Sequence, residues 1–134
     1  MNLISLRIIT ENPKALVTFY AAVTGITPAW ATEDFAELAT PSGTLAIAST
    51  RTLALFGDNI ARPAANASVI IEFITPDVDA DFVRLAAQNL TFEQSPTTMP
   101  WGNRSALLRD PDGNLVNLFT PVSAPARQKF GLPA

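Results

Sequence analysis

The sequence contains no histidine and no cysteine. Histidine is the commonest transition-metal ligand and the usual general base near neutral pH, so its absence removes the Ser-His-Asp triad and every His-based zinc site. Without cysteine there is no disulfide framework, no thiolate ligand and no sulfur nucleophile. No apolar run approaches the roughly 18 residues that a membrane span requires. Met1-Asn2-Leu3-Ile4 also lacks the basic segment and long apolar stretch of a secretory leader. These absences predict a cytoplasmic protein with no membrane partner. Basic charge is scarce too: nine Lys and Arg against twelve Asp and Glu leave a net charge of −3. The nine are scattered along the chain, whereas a phosphate backbone is held by a concentrated basic surface. Nucleic acid is therefore not an expected partner.

What is abundant is apolar side chain. Of 134 residues 48% are hydrophobic, with a mean hydropathy of +0.21. That is enough to bury a core in one compact domain or in two small fused modules. The second possibility gains from an internal repeat. Residues 6–20, LRIITENPKALVTFY, match residues 71–85, IEFITPDVDADFVRL, at an offset of 65 positions. Both open on an apolar strand ending in Ile-Thr (Ile9-Thr10, Ile74-Thr75), and both then present an Asx residue, Asn12 or Asp77, suited to capping a helix. Pro13 follows Asn12 at the first helical position, where a missing N–H costs nothing. Leu16, Phe19, Tyr20 and Val23 then recur at helical spacing, as do Val78, Phe82, Leu85 and Ala86. Gly25 is suited to stopping the first helix.

Shorter β-type segments follow each helix. In the first half they are 28–40, 44–49 and 52–56, with Pro41-Ser42-Gly43 turning between the first two. In the second half they are 91–94, 104–109 and 115–120. The last two flank Asp110-Pro111-Asp112-Gly113-Asn114, a turn in which Pro111 fixes φ and Gly113 is free to take positive φ. The predicted fold class is α+β, with β-α-β-β-β written twice. Module one covers about 1–57, a connector 58–67, and module two about 68–121, within one domain over 1–123. A Pro/Ala-rich tail follows at 124–134, either mobile or docked through Phe130 on a neighbouring subunit.

The stretches LRIITENPKALVTFYAAVTGI (6–26), SVIIEFITPDVDADFVRL (68–85) and above all NRSALLRDPDGNLVNLFTP (103–121) resemble the vicinal oxygen chelate superfamily. Its members include lactoylglutathione lyases, extradiol dioxygenases and bleomycin-resistance proteins. The resemblance covers nearly the whole chain to about residue 121. It implies paired βαβββ modules whose sheets curl into an open half-barrel cavity that holds metal and substrate where these are present. Carrying the family's four ligand positions over by spacing places them at Ser5, at Ala46 or Ala48, at Ile70 and at Asn117. None is a histidine or carboxylate. Nearby Glu37 and Glu72 with an amide suit Mg²⁺ or Ca²⁺ weakly and zinc or iron poorly. The expectation is thus no metal and no cofactor.

Strand alternation assigns the rest of the expected site. If Ser5 faces the cavity, so do Arg7 and Ile9; if Ile70 does, so do Glu72 and Ile74. Arg7 and Glu72 occupy matching places in the two halves, and unpaired burial of either would be costly. They are expected to pair, directly or through a ligand, or else to serve as a buried buttress. Trp101 precedes the final hairpin, where it can stack on a planar ligand or pack in the core; Trp30 reads as core. Glu33, Asp34 and Glu37 make the second strand acidic, which suits either a cationic ligand or a solvated edge.

Three functions stay open. The first is a homodimeric, metal-independent receptor that binds a small organic molecule through Ser5, Arg7, Glu72, Trp101 and Asn117. The second is a lyase or isomerase with Glu72 or Glu37 as catalytic base in an apolar setting. The third is a structural or partner-binding module.

Overall fold

The strand-helix unit occurs twice in the computed structural model, which describes residues 1–57 and 59–134. Asp58, the first residue of the expected connector 58–67, lies outside the described residues. The chain divides into two units: Met1–Ala67 together with the turn residues Asp110–Gly113, and Ser68–Arg109 together with Asn114–Ala134.

The first unit runs β1 (Ser5–Thr10), α1 (Pro13–Thr24), β2 (Ala29–Thr32), β3 (Phe35–Ala39) and β4 (Thr44–Ser49). Its four strands form a sheet in the order β1-β4-β3-β2. β1 lies parallel to β4, and the other pairs are antiparallel. Asn12 caps α1, its side-chain oxygen accepting the Ala15 N–H at 3.1 Å, with Pro13 at the first position. Gly25 ends the helix in the left-handed conformation at φ 70°, as its lack of Cβ allows. Between these ends Leu16, Val17, Tyr20 and Val23 are buried, and α1 packs on β3 and β4. Ala36 and Leu38 are buried at alternate positions of β3, whereas β4 is buried continuously from Leu45 to Ser49.

Two β-type segments depart from expectation here. The stretch 28–40 is two strands, β2 and β3, separated where the Thr32 hydroxyl accepts the Asp34 N–H at 3.1 Å. The stretch 52–56 is not extended: Thr50–Leu55 is a 3-10 helix capped by Ser49, whose hydroxyl accepts the Arg51 N–H at 3.2 Å. Thr52 returns a bond to the Ser49 carbonyl at 2.7 Å. Local hydroxyl-to-backbone bonds outweigh the β propensity of Thr and Leu.

The second unit repeats the plan with β5 (Ile70–Ile74), α2 (Val78–Ala87), β6 (Phe92–Thr98), β7 (Asn103–Arg109) and β8 (Leu115–Pro121), and adds α3 (Ala124–Lys129). The sheet order β5-β8-β7-β6 mirrors that of the first, with β5 parallel to β8. Asp77 caps α2, accepting the Ala80 N–H at 3.0 Å. The Val78 N–H donates to Thr120 Oγ1 at 2.8 Å. That bond sets α2 over the sheet face that carries Val116, Leu118 and Thr120. Phe82 adds an edge-on contact to Phe92 at 4.8 Å. β6 runs longer than the expected 91–94, with two register shifts and Pro96, devices that keep an edge strand from recruiting another.

Both sheets are mixed and open, so the fold is α+β, as the repeat implied. The tail is ordered against its own unit. The Ser123 hydroxyl caps α3 by accepting the Ala126 N–H at 3.2 Å, and the Phe130 ring lies 5.4 Å from that of Phe119.

Candidate functional site

On β8 the even-numbered residues 116, 118 and 120 turn toward α2, so Leu115, Asn117, Phe119 and Pro121 occupy the other face. Register completes that face. Glu72 pairs with Asn117, which pairs with Leu107, which pairs with Gln94. One row further on stand Ile74, Phe119, Ser105 and Thr97. Asn103 and Pro121 form a third row. Asn117 Nδ2 donates to Glu72 Oε2 at 2.7 Å. The direction is dictated by charge, because the carboxylate has only acceptors to offer. The Asn117 carbonyl is then left without a donor: Oδ1 is buried and unpartnered. Asn103 Oδ1, on the same face, is buried and unpartnered as well. Each such oxygen costs about 1–3 kcal/mol.

The aromatic part of this face is built by the C-terminal segment. Phe119 is 7% exposed beneath Phe130. The approach of α3 depends on Gly102, at φ 93°, where a Cβ would stand 1.9 Å from Ser123 Oγ. The Gly102 carbonyl accepts the Val122 and Ser123 N–H groups at 2.9 and 3.1 Å. Trp101, the neighbour of that glycine, is 66% exposed.

The first sheet carries the matching row: Arg7 pairs with Ala46, which pairs with Glu37. Since Arg7 matches Glu72 by the repeat, Ala46 rather than Ala48 is the counterpart of Asn117. Ser5 stands one row away, opposite Thr44. The Arg7 guanidinium lies over the Phe35 ring, 5.3 Å from its centroid. Burial of Arg7 and Glu72, the premise for their pairing, does not hold: both are exposed, and each has a partner on its own sheet. Glu37 is exposed too, so neither expected base has an apolar enclosure. Asp34 serves structure. Bonds from Arg51 at 2.8 and 2.5 Å and from Ser49 at 2.8 Å hold its carboxyl below the usual carboxylate range.

Trp30 is not core. It is 44% exposed on the edge strand β2. It borders a groove of about 550 Å³ against α1, lined by Val17, Ala21 and Pro28 with Lys14 and Glu33 at its rim. Tyr20, by contrast, is fully buried, and its hydroxyl donates to Asp110 Oδ2 at 2.6 Å. Burial first, and then the Asp110 carboxylate, hold the phenol far above its ordinary range.

A model of the Glyoxalase/Bleomycin resistance protein/Dioxygenase superfamily matches residues 2–118. The chain belongs to that superfamily. Solved structures agree on the fold. A glyoxalase/bleomycin resistance protein/dioxygenase from Nocardioides is 21% identical with a TM-score of 0.75, over 92% of this chain and 85% of that one. A family enzyme from Burkholderia phytofirmans PsJN is 18% identical with a TM-score of 0.77, over 91% of this chain and 100% of that one. A lactoylglutathione lyase from Agrobacterium tumefaciens is 21% identical with a TM-score of 0.69, over 88% and 92%. No curated protein matches the chain. No helix among the described residues is long and apolar enough to cross a membrane.

The metal used by many superfamily members does not suit the residues present. In the first unit Ala46 offers no donor atom and Ser5 only a hydroxyl. In the second, Ile70 offers none and Asn117 a single carbonyl. No group of three or more His, Cys, Asp or Glu is gathered among the described residues. Asn103, Gln94 and the Phe119–Phe130 contact were not singled out from sequence. Asn103 was within reach, because the turn pairs Arg109 with Leu115 and alternation then orders the hairpin; Gln94 was not, because β6 lies outside that hairpin and joins it through two register shifts. The Phe119–Phe130 contact was not, because the two rings lie 11 positions apart and only the path of α3 joins them.

Proposed function

We propose that this superfamily member is a metal-independent, homodimeric, cytoplasmic receptor for a small organic molecule. One observation carries the reading. A buried amide oxygen without a donor, Asn117 Oδ1, sits beside an exposed carboxylate, on the residue that the family resemblance makes the counterpart of a metal ligand. A buried unmet acceptor calls for a partner, and an N–H or O–H group of a bound molecule is one that can supply it. Apolar neighbours such as Leu107 and Phe119 supply burial, and Asn117 and Glu72 supply orientation. Ser5 and Arg7 are assigned to the same role on the first sheet, and Trp101 to stacking.

The test joins two measurements on protein purified without chelator. Elemental analysis is expected to find no stoichiometric Zn, Fe, Mn or Ni. A thermal-shift screen of aromatic antibiotics, thiol conjugates and small acids is expected to find a stabilising class. Ligand at 100 times its Kd adds about 2.7 kcal/mol to folding. A full equivalent of transition metal refutes the reading.

A second reading, a lyase or isomerase with Glu72 as base, draws on the Asn117 bond that fixes the carboxylate. It requires turnover that Glu72→Gln abolishes without loss of fold. Glu37 has no comparable anchor among the described residues.

A further inference from the structure

The open face of the second sheet has a definite polarity. Its two unpartnered buried side-chain atoms, Asn117 Oδ1 and Asn103 Oδ1, are both oxygens. Asn117 cannot turn its amide to relieve this without setting its carbonyl against Glu72 Oε2, now the acceptor at 2.7 Å. Neutral and charged acceptors therefore stand together where the Glu72–Asn117 row crosses the sheet. The next row carries one aromatic residue, Phe119, with the Phe130 ring over it. Residues 117 and 119 are two steps apart on one strand, which separates acceptors from rings by about 7 Å. That is the span of a benzene ring with a one-carbon substituent.

From this juxtaposition we infer that the site recognises a planar cation rich in N–H groups, of the amidinium or guanidinium class. Its N–H groups meet Glu72 and Asn117, and its flat body lies against Phe130, the ring that covers Phe119. Glu72 supplies the compensating charge, and Asn117 Oδ1 gains the donor it lacks after a small rotation about its soft terminal torsion. The C-terminal segment becomes a wall of the site, with Phe130 a specificity-determining residue. The inference rests on the small-molecule reading and narrows it to one ligand polarity.

Benzamidine and benzoate test this, being planar rings of equal size that present donors only and acceptors only. Each is titrated into the full ¹⁵N-labelled chain and followed through backbone amides of β5 and β8 and the Asn117 side-chain amide. Benzamidine is expected to bind saturably at about millimolar Kd, as suits a fragment of this size, with benzoate at least tenfold weaker. Glu72→Gln, which keeps shape and removes charge, is expected to weaken benzamidine about tenfold. Phe130→Ala is expected to weaken it several-fold, and Phe130→Leu less. Benzoate binding as tightly as benzamidine, benzamidine indifferent to Glu72→Gln, or no benzamidine binding at all overturns the assignment. If benzamidine fails while the screen of antibiotics, conjugates and acids finds a ligand, only the cation assignment falls. If no compound of any class binds, the receptor reading falls with it.

Discussion

Tyr20 is the only tyrosine in the chain, which makes its environment directly measurable. Its phenol is buried and bonded to Asp110, and its proton affinity is raised in the folded state. A group whose folded value lies above its unfolded value contributes stability that is complete below the unfolded value and lost as pH rises through the gap. Stability should therefore decline above about pH 10, the ordinary tyrosine value. Tyrosinate absorbance should appear only together with unfolding; a free titration near pH 10 in folded protein would contradict the buried bond. Tyr20→Phe should cost about 1.5–3 kcal/mol in denaturant unfolding, because a charged acceptor loses a donor. Asn117 calls for the opposite outcome. Asn117→Leu removes an unmet carbonyl at similar volume and should leave stability unchanged or raise it, while ligand binding is lost. A loss above about 1 kcal/mol would mean that the amide is structural.

At the scale of elements, the C-terminal helix is the telling case. Its six residues are too few to hold a helix alone. α3 persists because Ser123 caps it and because Gly102 admits Ser123 at a distance no Cβ would tolerate. Gly102→Ala adds both that clash and a side chain at φ 93°. It should cost roughly 1–3 kcal/mol from backbone strain alone. It should also release Phe130 from Phe119, read as new hydrogen exchange over Ala124–Lys129. α2 is tied to β7 by Arg104, whose Nε and Nη2 meet the two Asp79 oxygens at 2.7 and 2.8 Å. The bond from Arg104 holds the Asp79 carboxyl below its usual range. Its contribution is present above the unfolded aspartate value of about 3.9 and lost as pH falls through the lower folded value. The small stability gap between the native chain and Arg104→Gln should therefore be visible at neutral pH and close in acid. This pair is exposed, so salt should narrow the gap too.

Across the molecule, the two halves keep one plan and differ in chemistry. Residues 7, 46 and 37 stand in one sheet as 72, 117 and 107 stand in the other. Duplication thus preserves a register while Arg, Ala and Glu in one copy correspond to Glu, Asn and Leu in the second. Much of this was legible beforehand. The Ile-Thr endings and Asx caps located both helices, and the Asp110–Asn114 turn set the last hairpin. The strands at 28–40 and 52–56 were misread because Thr32 and Ser49 bond to nearby N–H groups, a choice that composition does not reveal. The burial expected for Arg7, Glu72 and Trp30 failed for a related reason. Alternation says which face a residue takes, not what covers that face.

The sequence by itself determined the repeat, the helix ends, the final turn and the want of imidazole and thiolate, because each depends on residue identity or on spacing within one local element. Tertiary structure alone decided that Asn117 donates to Glu72 and keeps a bare carbonyl, that Phe130 settles on Phe119, and that Tyr20 reaches Asp110. Those contacts join residues 11 to 90 positions apart. Which partner a side chain meets at such separation is settled by strand register and helix packing together, and neither is written in any one segment.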